Sequence, residues 1–270
     1  MTQQHSPDLE RRFGGLARLY GAEGAARIRA ARVAVVGIGG VGSWAAEALA
    51  RSGVGAITLV DLDNVAESNV NRQIHALTST LGQPKVEAMR QRIALIHPGC
   101  EVHCVEDFAA PGNWPALLPA AVDGVIDACD QVHAKQALAA WALKTRALFI
   151  TCGAAGGKRQ GERVEIADLA EVTHDPLMAA LRARLRQTGS MAKGGKNGKD
   201  RQARSGLHVV FSREAVTRPA ACGPQPGHDR NLNCHGYGSA VTVTATFGLV
   251  AAGWILERLA QGRALQHPHT

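Results

Sequence analysis

The stretch Val33-Ala-Val-Val-Gly-Ile-Gly-Gly-Val-Gly-Ser43 decides the fold of this chain. Residues 33–36 form a short β-branched apolar run, which is typical of a strand buried on both faces of a parallel sheet. The pattern Gly37-x-Gly39-x-x-Gly42 follows, and the residues after it predict a helix. Glycines at such a turn let the backbone approach phosphate oxygens, and the free N–H groups of a helix start favour an anion. The stretch therefore predicts a nucleotide-binding loop, of a kind that nicotinamide, flavin and adenylate enzymes share.

Positive charge is concentrated in one segment of the chain. The 270 residues have a formal net charge of +7, and residues 182–204 contain eight basic residues and one acid, so this segment carries the whole excess. Its glycines make a solvated loop one interpretation. An arm that binds RNA phosphates is the other, because clustered lysines and arginines attract a polyanion. DNA is not expected as a partner.

Several features predict a cytoplasmic protein. Residues 1–10 are polar and lack the apolar core of a signal peptide. The six cysteines are expected to be thiols, and none forms the Cys-x-x-Cys pair of a zinc clamp. Residues 238–256 contain no charged residue and are long enough to span a bilayer, so membrane association stays an alternative. Their threonines and small residues favour a buried helix.

Strands and helices are predicted to alternate through the first part of the chain. Strands are expected at residues 33–36, 56–61, 101–106, 122–127 and 147–152. Helices are expected at 43–50, 84–96 and 132–144, after a basic lead-in at 11–29 that becomes helical from about Ala22. This alternation predicts a doubly wound, Rossmann-like α/β fold with a mostly parallel sheet.

The pattern changes after residue 160. Residues 163–166 and 208–212 predict strands of a different, antiparallel region, with a helix between them that Pro176 opens. We therefore predict three parts. They are a nucleotide-binding core at residues 1–160, an inserted substrate-facing lobe at 161–238 with its basic loop at 182–204, and an apolar helix at 239–260 that returns to the core.

Carboxylates follow the second and fourth predicted strands, where open sheets place their ligand crevice. Asp61 lies 19 residues past Gly42, at the position from which a carboxylate accepts hydrogen bonds from ribose hydroxyls, and Asp63 follows it. Asp130 lies just past the fourth strand, and a carboxylate there suits a Mg²⁺ ion that bridges ATP phosphates.

Two cationic side chains at the same crevice favour a nucleoside triphosphate. The Arg72 guanidinium matches phosphate oxygens bidentately, and Lys85 begins a helix, where the helix dipole and the ammonium act together on phosphate. A nicotinamide-dependent reductase, the third function class that we considered, gives these cations and Asp130 no purpose. The predicted ATP site consists of Gly37, Gly39, Gly40, Gly42, Asp61, Asp63, Asn69, Arg72, Gln73, Lys85 and Asp130.

These motifs, together with Asp127-x-x-Asp130, resemble the ubiquitin-activating superfamily, which includes MoeB- and ThiF-like adenylyltransferases. Three further segments are similar to the tRNA threonylcarbamoyladenosine dehydratases within that superfamily. They are Arg-Phe-Gly-Gly-Leu-Ala-Arg-Leu-Tyr-Gly at 12–21, Asn-Arg-Gln-Ile-His-Ala-Leu at 71–77 and Val-Thr-Val-Thr-Ala-Thr-Phe-Gly at 241–248. The resemblance covers residues 11–259, roughly the whole chain.

The resemblance implies an ATP-dependent dehydration of N6-threonylcarbamoyladenosine in tRNA. The threonyl carboxylate attacks the α-phosphate of ATP, and the carbamoyl oxygen then closes on the acyl-adenylate to give a cyclic hydantoin or oxazolone. Arg72 and Lys85 are implied to neutralise phosphate charge as catalytic residues, with Asp130 holding Mg²⁺. A requirement for a monovalent cation stays open.

The resemblance also implies partners. Relatives form homodimers in which an arginine reaches the neighbour's ATP site, and Arg12 or Arg18 is the candidate here. Cys234 is a candidate persulfide or thioester site because the family is linked to cysteine desulfurases, although a thiol without catalytic duty is the simpler interpretation. The alternative function is MoeB- or ThiF-like adenylation of the C-terminal glycine of a ubiquitin-like sulfur carrier. The missing zinc pairs and the basic segment count against it.

Overall fold

The computed structural model describes residues 7–191, 204–217 and 237–262. Within these ranges one seven-stranded sheet has the order β3-β2-β1-β4-β5-β7-β6. The strands are β1 (Arg32–Val36), β2 (Ala56–Val60), β3 (Glu101–Val105), β4 (Gly124–Asp127), β5 (Phe149–Cys152), β6 (Val164–Asp168) and β7 (His208–Ser212). The helices are α1 (Leu9–Ala30), α2 (Gly42–Arg51), α3 (Lys85–Ile96), α4 (Val132–Thr145), α5 (Pro176–Gln187) and α6 (Val241–Ala260).

The sheet is parallel from β3 to β7, and β6 alone runs antiparallel to its neighbour. Two apolar cores cover its two faces. One core includes residues of α1, α2, α3 and α6, and the other includes residues of α4 and α5. The predicted doubly wound, mostly parallel α/β fold is confirmed.

The strands predicted at 163–166 and 208–212 do not form a region of their own, and this expectation was wrong. β7 pairs in parallel with β5, where Ile150 opposes His208, and β6 adds to β7 as the antiparallel edge. Val209, Val210 and Phe211 are buried, so β7 needs cover on both faces, which the sheet interior provides. The division of the chain at residues 160 and 238 stays a prediction.

The first helix begins earlier than predicted. α1 starts at Leu9, and the side chain of Asp8 caps it by accepting a hydrogen bond from the amide of Arg11. Gly21, with φ of 76°, interrupts the helix close to the predicted start at Ala22. Phe13 is buried, and its ring packs 4.8 Å from the ring of His97, so burial favours a helix that the glycines of this segment disfavour.

The apolar helix α6 packs into the core. Its most extensive contacts are with α2 and α1, it also packs against β4 to β7, and Val243, Phe247 and Ile255 are fully buried. A Cβ atom at Gly248 would lie 2.3 Å from the carbonyl oxygen of Val41, so glycine permits the close approach to α2. By length and composition α6 could cross a membrane, but 61% of its apolar stretch is buried inside the fold. These contacts agree with the buried interpretation, and the cellular location stays a prediction.

Candidate active site

A cavity of about 490 Å³ lies where β1, β2, β4 and β5 end. It is lined by ten of the eleven residues predicted for the ATP site. They are Gly37, Gly39, Gly40, Asp61, Asp63, Asn69, Arg72, Gln73, Lys85 and Asp130. The strands are parallel, so their carboxyl ends meet at one edge, and side chains far apart in the sequence come together there.

Gly42 has a structural role just behind the cavity wall. A Cβ atom at this position would lie 1.8 Å from the carbonyl oxygen of Gly37, so only glycine allows α2 to begin here. Gly37 itself has φ of 87°, and a Cβ atom there would lie 2.8 Å from the amide of Cys129. The glycine-rich loop is therefore pressed against the loop that follows β4, and Gly37, Gly39 and Gly40 line the cavity, where a phosphate site needs a close backbone approach.

Asp61 braces the glycine-rich loop. One of its carboxylate oxygens accepts a hydrogen bond from the amide of Ile38 at 2.6 Å, and the other accepts one from the amide of Asp63 at 2.9 Å. Burial raises the pKa of Asp61, and the nearby Lys85 ammonium partly offsets this rise. The carboxylate thus fixes the loop's shape in addition to the contact with ribose that we expect of it.

Lys85 holds the Asp61-Leu-Asp63 turn at the cavity wall. Its Nζ donates to Asp63 Oδ2 at 2.6 Å and lies 3.8 Å from Asp61 Oδ1. The Lys85 side chain is buried. Its ammonium has three donor hydrogens, so the hydrogen bond to Asp63 leaves two of them for a phosphate oxygen. Lys85 can therefore act on the triphosphate without losing its ion pair.

Arg72 is positioned by hydrogen bonds at both its backbone and its side chain. Its carbonyl oxygen accepts from Trp44 Nε1 at 3.0 Å, and its Nη1 donates to the Ser68 carbonyl at 2.6 Å and to Asn71 Oδ1 at 2.9 Å. A Cβ atom at Gly40 would lie 3.3 Å from Arg72 Cγ, which shows how closely the side chain crosses the glycine-rich loop. The guanidinium is thus held over the predicted phosphate position.

The two amides of the same motif have different surroundings. Asn69 Oδ1 accepts a hydrogen bond from the amide of Ala66 and so stabilises the short 3₁₀ turn Glu67–Asn69. Gln73 is buried and lines the cavity, and its Oε1 has no hydrogen-bond partner among the described residues. A buried acceptor without a partner is costly, so the fold leaves the hydrogen bonding of this amide incomplete.

Asp130 is an exposed carboxylate on the cavity wall beside the glycine-rich loop. In the described residues no group of three or more histidine, cysteine or acidic side chains forms a metal cage. A single carboxylate is the donor set that Mg²⁺ uses when water and substrate phosphates supply its other ligands. Asp130 therefore fits the predicted Mg²⁺ ion.

A buried charge cluster below this loop was missed in the sequence. The carboxylate of Asp127 and the ammonium of Lys135, both fully buried, lie 3.1 Å apart. The hydroxyl of Thr151 accepts from Lys135 at 3.0 Å and donates to Asp127 at 2.6 Å. Burial alone would lower the pKa of Lys135, but the Asp127 carboxylate outweighs it and the pKa is raised. A lone lysine on the apolar face of a predicted helix was the available signal.

The cavity also contains the Cys129 side chain, a second residue that the sequence analysis did not select. Burial and the neighbouring Asp127 carboxylate raise the pKa of Cys129 well above its usual value. Its Sγ donates to Asp127 Oδ1 at 2.8 Å. The thiol therefore stays protonated and acts as a hydrogen-bond donor within the loop, and it does not serve as a nucleophile.

The far end of the cavity has an apolar lining contributed by residues after β5 and β7. These residues are Ala154, Ala155, Pro176, Leu177, Val216 and Tyr237. Buried carboxylates hold the loops that carry them. Asp175 accepts from the amide of Ala154 at 2.9 Å and caps α5, and Glu214 accepts from the amides of Arg159 and Gln160. The cavity therefore joins a polar phosphate end to an apolar compartment.

The remaining predicted residues do not meet at this cavity in the described chain. Arg12 donates to the carbonyl of Ile96 at 2.5 Å, at the end of α3, and neither Arg12 nor Arg18 lines the cavity. The basic segment begins on α5 with Arg182, Arg184 and Arg186. Its lysines and Cys234 lie outside the described residues.

Comparisons with known proteins agree with this geometry. The ThiF family matches residues 12–269. The chain is 42% identical to the tRNA threonylcarbamoyladenosine dehydratase of Escherichia coli K12 over 262 residues, covering 94% of this chain and 96% of the relative. The crystal structure of the E. coli enzyme, TcdA, in complex with ATP superposes with a TM-score of 0.82, over 97% of this chain and 99% of that one.

The adenylyltransferases of the alternative function match less of the chain. The molybdopterin-synthase adenylyltransferase of E. coli K12 is 37% identical over 116 residues, which are 43% of this chain and 46% of the relative. The dehydratase match therefore covers more than twice as much of this chain as the adenylyltransferase match does. The chain thus belongs to the ThiF family and, within it, to the tRNA threonylcarbamoyladenosine dehydratases.

Proposed function

We propose that this protein uses ATP to dehydrate and cyclise N6-threonylcarbamoyladenosine in tRNA. One observation carries the proposal. The glycine-rich loop, Arg72, Lys85 and Asp130 line one cavity in a chain that resembles tRNA threonylcarbamoyladenosine dehydratases along almost its whole length. The crystal structures of the E. coli relative with ATP and with AMP support ATP as the co-substrate.

The first step joins the threonyl carboxylate to the α-phosphate. A carboxylate oxygen attacks phosphorus, the bond to the β-phosphate oxygen breaks, and pyrophosphate leaves. The attacking group is already an anion, so no general base is needed, and the protein's contribution is positioning and charge neutralisation. Arg72 and Lys85 supply two cations at the phosphate end of the cavity, and the amides of the glycine-rich loop supply donors.

The second step expels AMP. The carbamoyl group of the same nucleoside attacks the activated carbonyl and closes a ring, an N–H proton passes to the departing phosphate of AMP, and the bond between the carbonyl carbon and the phosphate oxygen breaks. Because both reacting groups belong to one nucleoside, the enzyme needs no nucleophile of its own, which agrees with the protonated Cys129 in the cavity. The balance over both steps is loss of one water from the nucleoside and conversion of ATP to AMP and pyrophosphate.

Mg²⁺ is the metal that we assign to this site. When bound, it neutralises developing charge on the phosphate oxygens of ATP. Asp130 would hold it from the loop after β4, beside Gly37. The monovalent cation that the resemblance left open stays an expectation to which we assign no residues.

The helices α4 and α5 support tRNA as the substrate. Neither helix contains an acidic residue, whereas α5 carries Arg182, Arg184 and Arg186. Arg184 lies 3.2 Å from His133 of α4, so the two helices adjoin there. The first residues of α5, Pro176 and Leu177, line the cavity, so phosphates bound along these helices and the segment after them would bring a nucleoside to the cavity mouth.

A homodimer completes the proposal. In the described chain neither Arg12 nor Arg18 lines the cavity of its own subunit. Either side chain could therefore bind ATP in the cavity of the neighbouring subunit. A cysteine desulfurase or another sulfur-acceptor protein stays a proposed partner, with Cys234 as the proposed contact. A cytoplasmic location, where tRNA is modified, is part of the same proposal.

The decisive experiment offers ATP with one acceptor at a time and measures pyrophosphate release. Threonylcarbamoylated tRNA should support release and should lose one water by mass spectrometry of its nucleosides. The same tRNA without the modification is the matched control and should support none. Release with a ubiquitin-like sulfur-carrier protein, and none with the modified tRNA, would contradict the proposal and restore the alternative function.

A further inference from the structure

Lys135 is among the largest fully buried side chains of the described chain. It does not line the cavity, so it cannot contact the nucleotide directly. Removing an ammonium from water costs several kcal/mol, and a buried ion pair often contributes no more stability than an apolar pair of the same volume. A reason for its presence must therefore be sought in what it holds in place.

The contacts of Lys135 join three elements at the carboxyl edge of the sheet. Asp127 is the last residue of β4, Thr151 opposes it in β5, and Lys135 belongs to the first turn of α4. Its ammonium contacts Asp127 Oδ2 at 3.1 Å and Thr151 Oγ1 at 3.0 Å. The Lys135 ammonium, the Thr151 hydroxyl and the Asp127 carboxylate thus bond to one another inside the protein, and we call these three groups the triangle.

This triangle fixes both ends of a four-residue loop, 128–131, that carries Asp130. Asp127 begins the loop and Lys135 follows it, and all four loop residues line the cavity. Asp127 Oδ1 also accepts from the amide of Cys129 at 3.2 Å, while the amide of Ala128 donates to the Val36 carbonyl at 2.8 Å. The loop has little freedom to move relative to the glycine-rich loop.

We propose that Lys135, together with Asp127 and Thr151, is a positioning group that aims the Asp130 carboxylate at the nucleotide phosphates. The inference rests on the proposed role of Asp130 and goes beyond it by assigning a function to a buried pair that touches no ligand. Each member has its own part. Asp127 supplies the negative charge that pairs with the Lys135 ammonium. Thr151 orients the Asp127 carboxylate by donating a hydrogen bond to it, and Lys135 links the start of α4 to β4 and β5.

The test measures binding of a non-hydrolysable ATP analogue with and without Mg²⁺, and takes the ratio of the two affinities. In Asp130→Asn this ratio should fall to about one, because the single carboxylate ligand is lost. In Lys135→Met the ratio should fall at least about tenfold, the scale on which groups behind a metal ligand act. Affinity without Mg²⁺ should stay at the wild-type value. Lys144→Met, a change on the exposed part of the same helix, is the matched control.

Thr151→Val serves where Lys135→Met does not fold, because it keeps both charges and nearly the same volume. It should fold and should lower the Mg²⁺ ratio in the same direction. Suppose that a folded Lys135→Met or Thr151→Val variant keeps the wild-type affinity ratio while the ratio falls to about one in Asp130→Asn. That result would overturn the positioning role of Lys135 and leave the proposed role of Asp130 intact. A wild-type ratio in Asp130→Asn would overturn the proposed role of Asp130 itself.

Discussion

The carboxylate of Asp61 accepts a hydrogen bond from the amide of Ile38, in the middle of the glycine-rich loop, at 2.6 Å. The two residues follow the ends of neighbouring strands, so one buried side chain determines the shape of the loop that faces the phosphates. Its second oxygen bonds the amide of Asp63, which sets the turn that carries Lys85's partner. Asp61 thus couples the two halves of the phosphate end of the cavity.

Replacing Asp61 with Asn tests this coupling. The amide group of Asn cannot accept at both ends, so one backbone N–H loses its partner, and we expect a loss of about 1–3 kcal/mol in the free energy of unfolding. ATP affinity should fall as well. Glu23→Gln is the control, since its side chain is 88% exposed, and urea unfolding should change little. If Asp61→Asn and the wild type have the same free energy of unfolding, the hydrogen bonds of Asp61 do not stabilise the loop as we infer.

Arg72→Ala and Lys85→Ala should each slow adenylation at least roughly a hundredfold, the scale for losing one preorganised charge at a transition state. Both side chains lie at the cavity, so circular dichroism should report a folded protein. Pyrophosphate release with threonylcarbamoylated tRNA is the measurement. Arg90→Ala, on the exposed side of α3, should keep wild-type activity. Normal adenylation by either cavity variant would show that its assignment is wrong.

Replacing Lys193, Lys196, Lys199 and Arg201 with Ser should weaken tRNA binding. The slope of log K against log salt should flatten by roughly the number of tRNA phosphates that these four side chains neutralise in the wild type. ATP affinity should change little, because salt screens these charges beyond about 8 Å.

A second variant with Ser at Arg11, Arg32, Arg51 and Arg90 removes the same charge from the exposed surface elsewhere and is the control. Its salt slope should match that of the wild type. An unchanged slope in the first variant would show that the segment is a solvated linker, and the tRNA contacts would have to lie on α4, α5 or another surface.

The predicted arginine in trans can be tested by complementation. An Arg12→Ala/Arg18→Ala variant mixed with Arg72→Ala should recover part of the activity, because one site of each heterodimer then has both its own Arg72 and an intact arginine from the neighbour. Mass photometry or cross-linking must show that heterodimers form. Heterodimers without recovered activity would exclude both arginines from the neighbour's site.

His75 predicts a specific loss of stability in acid. Burial, with the Lys85 and Arg92 charges, lowers its pKa from 6.5 to about 4. Above pH 6.5 the ring is neutral in folded and unfolded chains alike. Between pH 6.5 and about 4 the unfolded chain binds the proton more readily, so stability falls as pH falls.

The size of this loss is on the order of 3 kcal/mol by pH 4. Both ring nitrogens lack hydrogen-bond partners in the part of the chain that the structure describes, so His75→Leu should fold at neutral pH and should remove this part of the pH dependence. Urea unfolding at pH 7 and pH 4 measures it. His103→Leu, on the partly exposed β3, is the control. The same slope in His75→Leu and wild type would refute the assignment.

The nucleotide-binding half could be predicted from the sequence because its signals are local. β1 and β2 are mostly apolar, Pro84 immediately precedes α3, Asp61 directly follows β2, and Asp130 lies three residues past the end of β4. In parallel sheets this local position is enough to bring side chains to one edge. The role of Asp61 as a brace was not predictable, since it depends on the pairing of β1 with β2.

The features that the sequence did not predict depend on long-range packing. Lys135 meets Thr151 only because β4 and β5 pair in register, and a period of apolar residues cannot show which lysine will be buried. The place of β7 beside β5 likewise depends on a pairing across the whole of α5. α1 extends back to Leu9 because Phe13 finds a pocket near His97, a contact that its own segment does not encode.

The position of α6 has a consequence for how the protein is made. This helix follows all seven strands in the sequence, yet it packs on α1 and α2, which precede most of them. Until α6 has been translated, the apolar faces of α1 and α2 that it covers have no partner. The glycine-rich loop then precedes a helix, α2, that still lacks its packing against α6. Thr244 of α6 also lines the cavity, so the growing chain acquires a complete nucleotide site only after α6 has emerged.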